Sequence, residues 1–241
     1  DINKSIHYFS LSADQNDSYS QYNLGRIYYE GNLIPQDINK SIHYFSLSAE
    51  QDNSNAQNYL GLIYFNMQTT INIVKGINLF IQSAKNNHIM SSFFVGFLYY
   101  EGKHVERDIS KSLHFLKEAS SFNNQYAKNI LGIIYKYGFG NQYPPISEGS
   151  VYFKEAIKQK NDPVAMYNLS HIYIYELSNE KYINKSIKLL IKSSINGFEK
   201  STELLSIIFI HKFGFNFVLI EKELEKYTES ANDLINKLVD V

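Results

Sequence analysis

Apolar positions in this chain fall into two sets that alternate along its length. The first lies in the segments "YNLGRIYYEG", "NYLGLIYFNM", "FFVGFLYYEG", "NILGIIYKYG", "YNLSHIYIYE" and "ELLSIIFIHK". Its centre is a small residue: Gly25, Gly61, Gly96, Gly132, Ser170 and Ser206, at spacings of 36, 35, 36, 38 and 36. Before it stands Leu24, Leu60, Val95, Leu131, Leu169 or Leu205. Three residues after it stands Tyr28, Tyr64, Tyr99, Tyr135, Tyr173 or Phe209. The second set is the pairs Tyr8-Phe9, Tyr44-Phe45, Leu79-Phe80, Phe115-Leu116, Tyr152-Phe153 and Leu189-Leu190, recurring at 36, 35, 36, 37 and 37. Small residues follow four positions on, as in Phe9 to Ala13, Phe45 to Ala49 and Phe80 to Ala84. Steps of three and four are helical, not the alternation of strands.

Each unit therefore predicts two helices, A with "LG.IY" and B with "SIHYF". The repeat is literal at one point: "DINKSIHYFSLSA" opens at Asp1 and returns unchanged at Asp37. A glycine inside a helix costs about 1 kcal/mol against alanine. Four at one register predict a close crossing of A and B there. Between the helices, Gly31 and Gly102 suit left-handed helix ends, and Asp37 and Asp108 suit the N-caps of the helices that follow. In the fourth unit "YGFGNQYPPISEG" is a longer connection stiffened by Pro144 and Pro145. One helix pair cannot bury its apolar face alone, so the pattern predicts an all-α solenoid of stacked antiparallel pairs. The solenoid is expected over 1–216, about six pairs with the first one partial. Residues 217–241 carry apolar positions Ile220, Leu224, Tyr227, Ala231, Leu234 and Leu238, an amphipathic helix expected to cap the stack.

Composition sharpens this reading by exclusion. The 241 residues are 44% hydrophobic and 20% charged, with net charge -1, so no basic footprint argues for nucleic acid or an anionic membrane. The longest apolar runs, such as "FNFVLI", are too short to span a bilayer. With no cysteine, disulfides, thiol catalysis and cysteine-ligated zinc are excluded. That fits a reducing, cytoplasmic compartment. The secretory lumen stands as the alternative, because the chain opens inside a repeat and reads as a fragment. The excess of Asn, Ile, Lys, Ser and Tyr reads as coding bias from an AT-rich genome.

The pattern "A..NLG.IY..G......D...S...YF..SA" resembles the Sel-1-like repeat, a relative of the tetratricopeptide repeat. The resemblance runs from Asp1 to about Ser206. The second unit departs from it with Met67 at the turn glycine, and the last two units with Ser170 and Ser206 at the helical glycine. It implies a right-handed superhelix that binds other proteins as an adaptor or scaffold. The chain would belong with the branch that lacks disulfides. Because some members sit beside catalytic domains, the alternative is a non-catalytic regulatory or targeting module of a larger enzyme such as a protein kinase.

No catalytic or cofactor motif stands in the sequence. His7, His43 and His114 share one position on helix B, one layer apart, too far to share a metal ion. "GFG" at Gly138 to Gly140 follows a helix rather than a strand and is no dinucleotide fingerprint. We expect no enzyme activity, no cofactor and no metal. The recognition surface is expected on the face of helix A turned away from helix B. That stripe holds Tyr22, Arg26 and Tyr29; Asn58, Leu62 and Phe65; Phe93, Phe97 and Tyr100; Asn129, Ile133 and Lys136; and Tyr167, His171 and Ile174. In tetratricopeptide-like stacks this face lines a concave groove. Aromatic anchors rimmed by polar groups suit an extended peptide or a helix of a partner protein. The alternative for the same residues is burial between adjacent A helices.

Overall fold

A computed structural model of the chain describes residues 2–32, 34–137, 146–175 and 180–213. Among the described residues there is no strand, and twelve helices follow one another: α1 (Ile2–Ala13), α2 (Ser18–Glu30), α3 (Ile38–Ala49), α4 (Ser54–Asn66), α5 (Thr70–Lys85), α6 (Ile89–Glu101), α7 (Ile109–Ser121), α8 (Gln125–Tyr137), α9 (Ile146–Lys160), α10 (Pro163–Tyr175), α11 (Glu180–Ile195) and α12 (Glu199–Phe213). Even-numbered helices are the A helices and odd-numbered ones the B helices. The chain divides into two compact units, Asp1–Ala127 and Lys128–Val241. Within them each A helix packs most closely on the B helix that follows it, α2 on α3, α4 on α5, α6 on α7 and α10 on α11. The expected helix at 217–241 and the Pro144-Pro145 connection lie outside the described residues.

The small column sits where A and B cross. A Cβ added to Gly25 would lie 2.5 Å from the Phe45 ring, and one on Gly132 would lie 2.5 Å from that of Phe153. At Gly61 and Gly96 the nearest atoms, of Phe80 and Leu116, would be 2.9 and 2.8 Å away. The partner is thus the second residue of each helix B pair, and Phe45, Phe80, Leu116, Phe153 and Leu190 are all buried. Close packing of rings against bare backbone offsets the propensity cost of the glycines.

The crossing has a second side that the sequence reading missed. Helix B carries its own small column, with Ser41, Gly76, Ser112, Gly149 and Ser186 facing the A helices. A Cβ on Gly76 would stand 2.8 Å from the Gly61 carbonyl oxygen, and one on Gly149 3.0 Å from that of Gly132. The Ser112 hydroxyl donates to the Gly96 carbonyl at 2.8 Å. The two helices of a layer are also tied by serines. Ser48, Ser83 and Ser193 donate to the carbonyls of Ser18, Ser54 and Pro163, each at 2.7 Å. These bonds join the B helix to the first turn of the A helix in the same layer.

Turn chemistry follows the expected signals. Gly31 and Gly102 end their helices with φ of 65° and 72°, and Asp37 and Asp108 cap α3 and α7 by accepting from the Lys40 and Lys111 backbone N–H groups. In the second repeat Met67 keeps a right-handed φ of -71°, and Gln68 takes the left-handed conformation at 55°. Every described B-to-A turn has its own left-handed residue: Asn16, Asp52, Asn87, Asn123, Asn161 and Gly197. Asparagine tolerates this region best after glycine, so part of the asparagine excess has a structural cause. The next residue caps helix A. Asp17, Asn53, Asn124 and Asp162 accept from backbone N–H groups three residues on. His88 fills the same place through Nδ1, which accepts from the Ser91 N–H at 3.2 Å, and burial pushes its pKa below the ordinary 6.5.

Candidate functional site

The helix A stripe is half-buried except at the buried Asn129, and its members divide by what lies against them. In the first unit Tyr22 and Tyr29 stand 6.0 and 5.6 Å from Tyr59 of the next A helix, and both also meet Phe45. Phe65 meets Phe94 edge-on at 5.3 Å. Leu62 packs with Phe65 on the cluster around Phe80. These side chains form a seam between adjacent A helices. Asn58 joins it, since its Oδ1 accepts from the Ser91 hydroxyl at 3.0 Å. Arg26 pairs along its own helix with Glu30 at 2.9 Å.

On α6 the surroundings differ. Phe93 and Phe97 are half-buried and stack on each other at 6.2 Å with 20° between planes, and Phe93 lies 5.9 Å from Tyr126. Tyr126 is 56% exposed, and Met90, one turn before Phe93, is 52% exposed. Arg107 lies over the Tyr100 ring at 5.7 Å. The result is an apolar surface of aromatic rings with a guanidinium at one end.

The second unit carries the same column with polar and cationic groups. Asn129 is buried, and neither its Oδ1 nor the Nζ of Lys136 has a hydrogen-bond partner among the described residues. Lys136 lies over the Tyr137 ring at 4.8 Å. His171 sits 4.2 Å from Tyr175 and 6.3 Å from Tyr167, which in turn meets Phe198 at 5.4 Å. Burial and, second, the charge of Lys136 hold the His171 pKa low. Ile133 and Ile174 pack on the buried clusters beside them. This unit therefore holds hydrogen-bonding and cationic groups, in part buried, in the column where the first holds rings.

His7, His43 and His114 are exposed on α1, α3 and α7, three different B helices. Among the described residues no group of His, Asp and Glu has a metal-site arrangement, and no helix is long and apolar enough to cross a membrane.

Comparison with known proteins agrees with this architecture. The model of the Sel1 repeat matches residues 1–17, 18–53, 54–88, 89–121 and 163–198. The segment between the last two matches holds α8, the longer connection and α9, yet its Gly132–Phe153 crossing has the geometry of the others. A crystal structure of a protective antigen from uropathogenic Escherichia coli with an SLR fold superposes with a TM-score of 0.81 at 21% identity, over 98% of this chain and 48% of that one. This chain thus spans about half the length of that protein. A Sel1 repeat protein from Oxalobacter formigenes superposes with a TM-score of 0.67 at 19% identity, over 90% and 88% of the two chains. Among curated proteins no sequence match was found. At these identities the structures share a fold, the α-α solenoid of paired helices, while the repeat matches extend over more than half of the sequence: the chain belongs to the Sel1 repeat family.

Proposed function

We propose that this chain is a non-catalytic scaffold that takes an extended segment or helix of a partner protein against its A helices, with Phe93, Phe97 and Tyr100 as the anchors. The Sel1 repeat generally serves protein–protein interaction, and that much comes with the family. The observation that supports this site is the contrast within one column. Tyr22, Tyr29 and Phe65 meet half-buried rings of the next A helix, Tyr59 and Phe94, whereas the ring of the next A helix that Phe93 meets, Tyr126, is exposed, and Phe97 stacks on Phe93 beside the exposed Met90. Half-covered aromatic rings in one continuous row are the usual anchors of peptide recognition. Arg107, over Tyr100, supplies a charge at the rim for a partner carboxylate or backbone carbonyl. In the second unit, taken by itself, the half-buried Tyr167 and His171 are the candidate polar contacts, while Asn129 and the Lys136 Nζ are buried.

The test is selection of peptides from a displayed library on the full chain, followed by binding and melting of Phe97→Ala and Tyr100→Ala. Each truncation is expected to lose about 2 kcal/mol of binding with melting little changed. Selected peptides that bind both variants as well as the parent place recognition elsewhere.

A further inference from the structure

The B helices carry a second recurrent feature, a groove between consecutive B helices floored by the A helix that separates them. In the first unit it lies between α3 and α5, about 490 Å³, with Leu60 and Tyr64 of α4 as its floor. In the second unit it lies between α9 and α11, about 430 Å³, with Leu169 and Tyr173 of α10 in the matching places. Repeat register makes the two directly comparable. Where the first has Ser46, Glu50, Lys75 and Asn78, the second has Lys154, Lys158, Lys185 and Lys188. A near-neutral groove has become one with two lysines on each wall.

The floor of the second groove is apolar, completed by the half-buried Ile157 and Leu189. No carboxylate is among the described residues that line it. The carboxylate between its α9 lysines, Glu155, is bound to the buried Lys128 at 2.9 Å. Lys154 and Lys158 stand one turn apart on α9, and Lys185 and Lys188 one turn apart on α11, so cations face each other across an apolar slot. The four lysines are exposed.

From this we infer that the α9–α11 groove is a docking site for an acidic peptide segment that inserts one or two large apolar side chains between Asp or Glu residues. The apolar floor takes the anchor, and the two lysine rows take carboxylates on either side of it. The volume suits a few side chains. A flat lipid surface would meet the lysines at the helix crests and leave the recessed floor uncovered. Single-stranded nucleic acid would find one ring, Tyr173, itself 8% exposed, and no stacking platform. The groove shares no lining residue with the α6 stripe.

The experiment is fluorescence anisotropy on the full chain, with a labelled peptide Glu-Asp-Glu-Leu-Phe-Asp-Glu-Asp. One control peptide carries Gln and Asn for the acids, and another carries Ser-Ser for Leu-Phe. The acidic, apolar peptide is expected to bind saturably. Affinity is expected to fall at least about tenfold in either control peptide and in Lys154→Glu/Lys188→Glu. It is expected to stay unchanged in Lys75→Glu, the lysine of the first groove that matches Lys185. Lys154→Gln/Lys188→Gln gives the same answer with a smaller loss if the double reversal fails to fold. The inference is overturned by no saturation below about 1 mM, by equal loss in Lys75→Glu, or by equal binding of the Ser-Ser peptide. Tighter binding of a uridine decamer or of phosphatidylserine vesicles through the same lysines also overturns it.

Discussion

The layer of α4 and α5 and the layer of α10 and α11 share an interior and differ on both faces. Inside, Leu60 and Leu169 are buried before the small residue, and Phe80 and Leu190 fill the same place opposite it. Ser83 and Ser193 make the same bond to the preceding A helix. Outside, Leu62 and Phe65 of α4 correspond to His171 and Ile174 of α10, and Glu50 and Asn78 of the first B groove to Lys158 and Lys188 of the second. The difference teaches where each constraint acts. A stack needs one crossing geometry, repeated, and a substitution there is felt in the whole layer. Its faces carry no such demand, so charge and aromatic content vary from layer to layer, and that variation is what a partner can read.

The largest effect should come from removing the distinction at the crossing. Gly132→Ala puts a Cβ 2.5 Å from the buried Phe153 ring and is expected to cost about 1–3 kcal/mol through overpacking. Helix propensity alone predicts a gain of about 1 kcal/mol. Ser170 stands at the same register, already carries a Cβ and donates to the Tyr167 carbonyl at 2.6 Å. Ser170→Ala should therefore stay within about 1 kcal/mol of the parent. Thermal melting of both variants checks this, and a Gly132→Ala protein that melts above the parent contradicts the close crossing.

A smaller effect separates the capping residues. His88 caps α6 where Asn53 caps α4. Burial holds the His88 pKa below 6.5, so the unfolded chain binds more protons, and stability rises with pH. This contribution is full above the ordinary histidine value and is lost as pH falls below it. The low pKa of His171, from burial and then Lys136, acts in the same direction. Chemical denaturation across that range should show His88→Asn with a shallower acid-side loss than the parent. An unchanged slope rejects the cap as the source.

The smallest expected effect lies at the turn where Met67 replaces a glycine. Gln68 holds φ of 55° there, and Gln68→Gly should raise stability by up to about 1 kcal/mol by relieving the left-handed backbone. The same exchange at exposed Gln51, which has no such φ, should lower it. Paired melting curves decide the sign.

The repeat register was legible from the sequence because Leu-Gly-x-Ile-Tyr marks one helix and a ring pair marks the other. Asp37, Asp108, Gly31 and Gly102 marked their helix ends for the same reason, since each residue type has one local role. The helix B small column was not legible, because Ser112 looks like a surface serine until Gly96 is placed against it. The left-handed column was obscured by asparagines elsewhere in the chain. Position three before the small residue was ambiguous for a deeper reason. Tyr22 and Phe93 occupy one register, and their surroundings depend on the next layer, where Tyr59 lies against the first. The lysine groove needed the columns of helix B compared across layers, since each lysine alone is an ordinary solvated charge.

Phe94 and Phe97 lie on the same helix and are both half-buried, and they give the most direct test of interior against face. Phe94 packs on Phe80 at 4.7 Å and on Phe65 at 5.3 Å, whereas Phe97 stacks on its own helix neighbour Phe93. Denaturant unfolding of the two alanine variants should show Phe94→Ala losing about 3 kcal/mol and Phe97→Ala about 1 kcal/mol or less. Equal losses would place Phe97 in the interior and contradict the division on which the account rests.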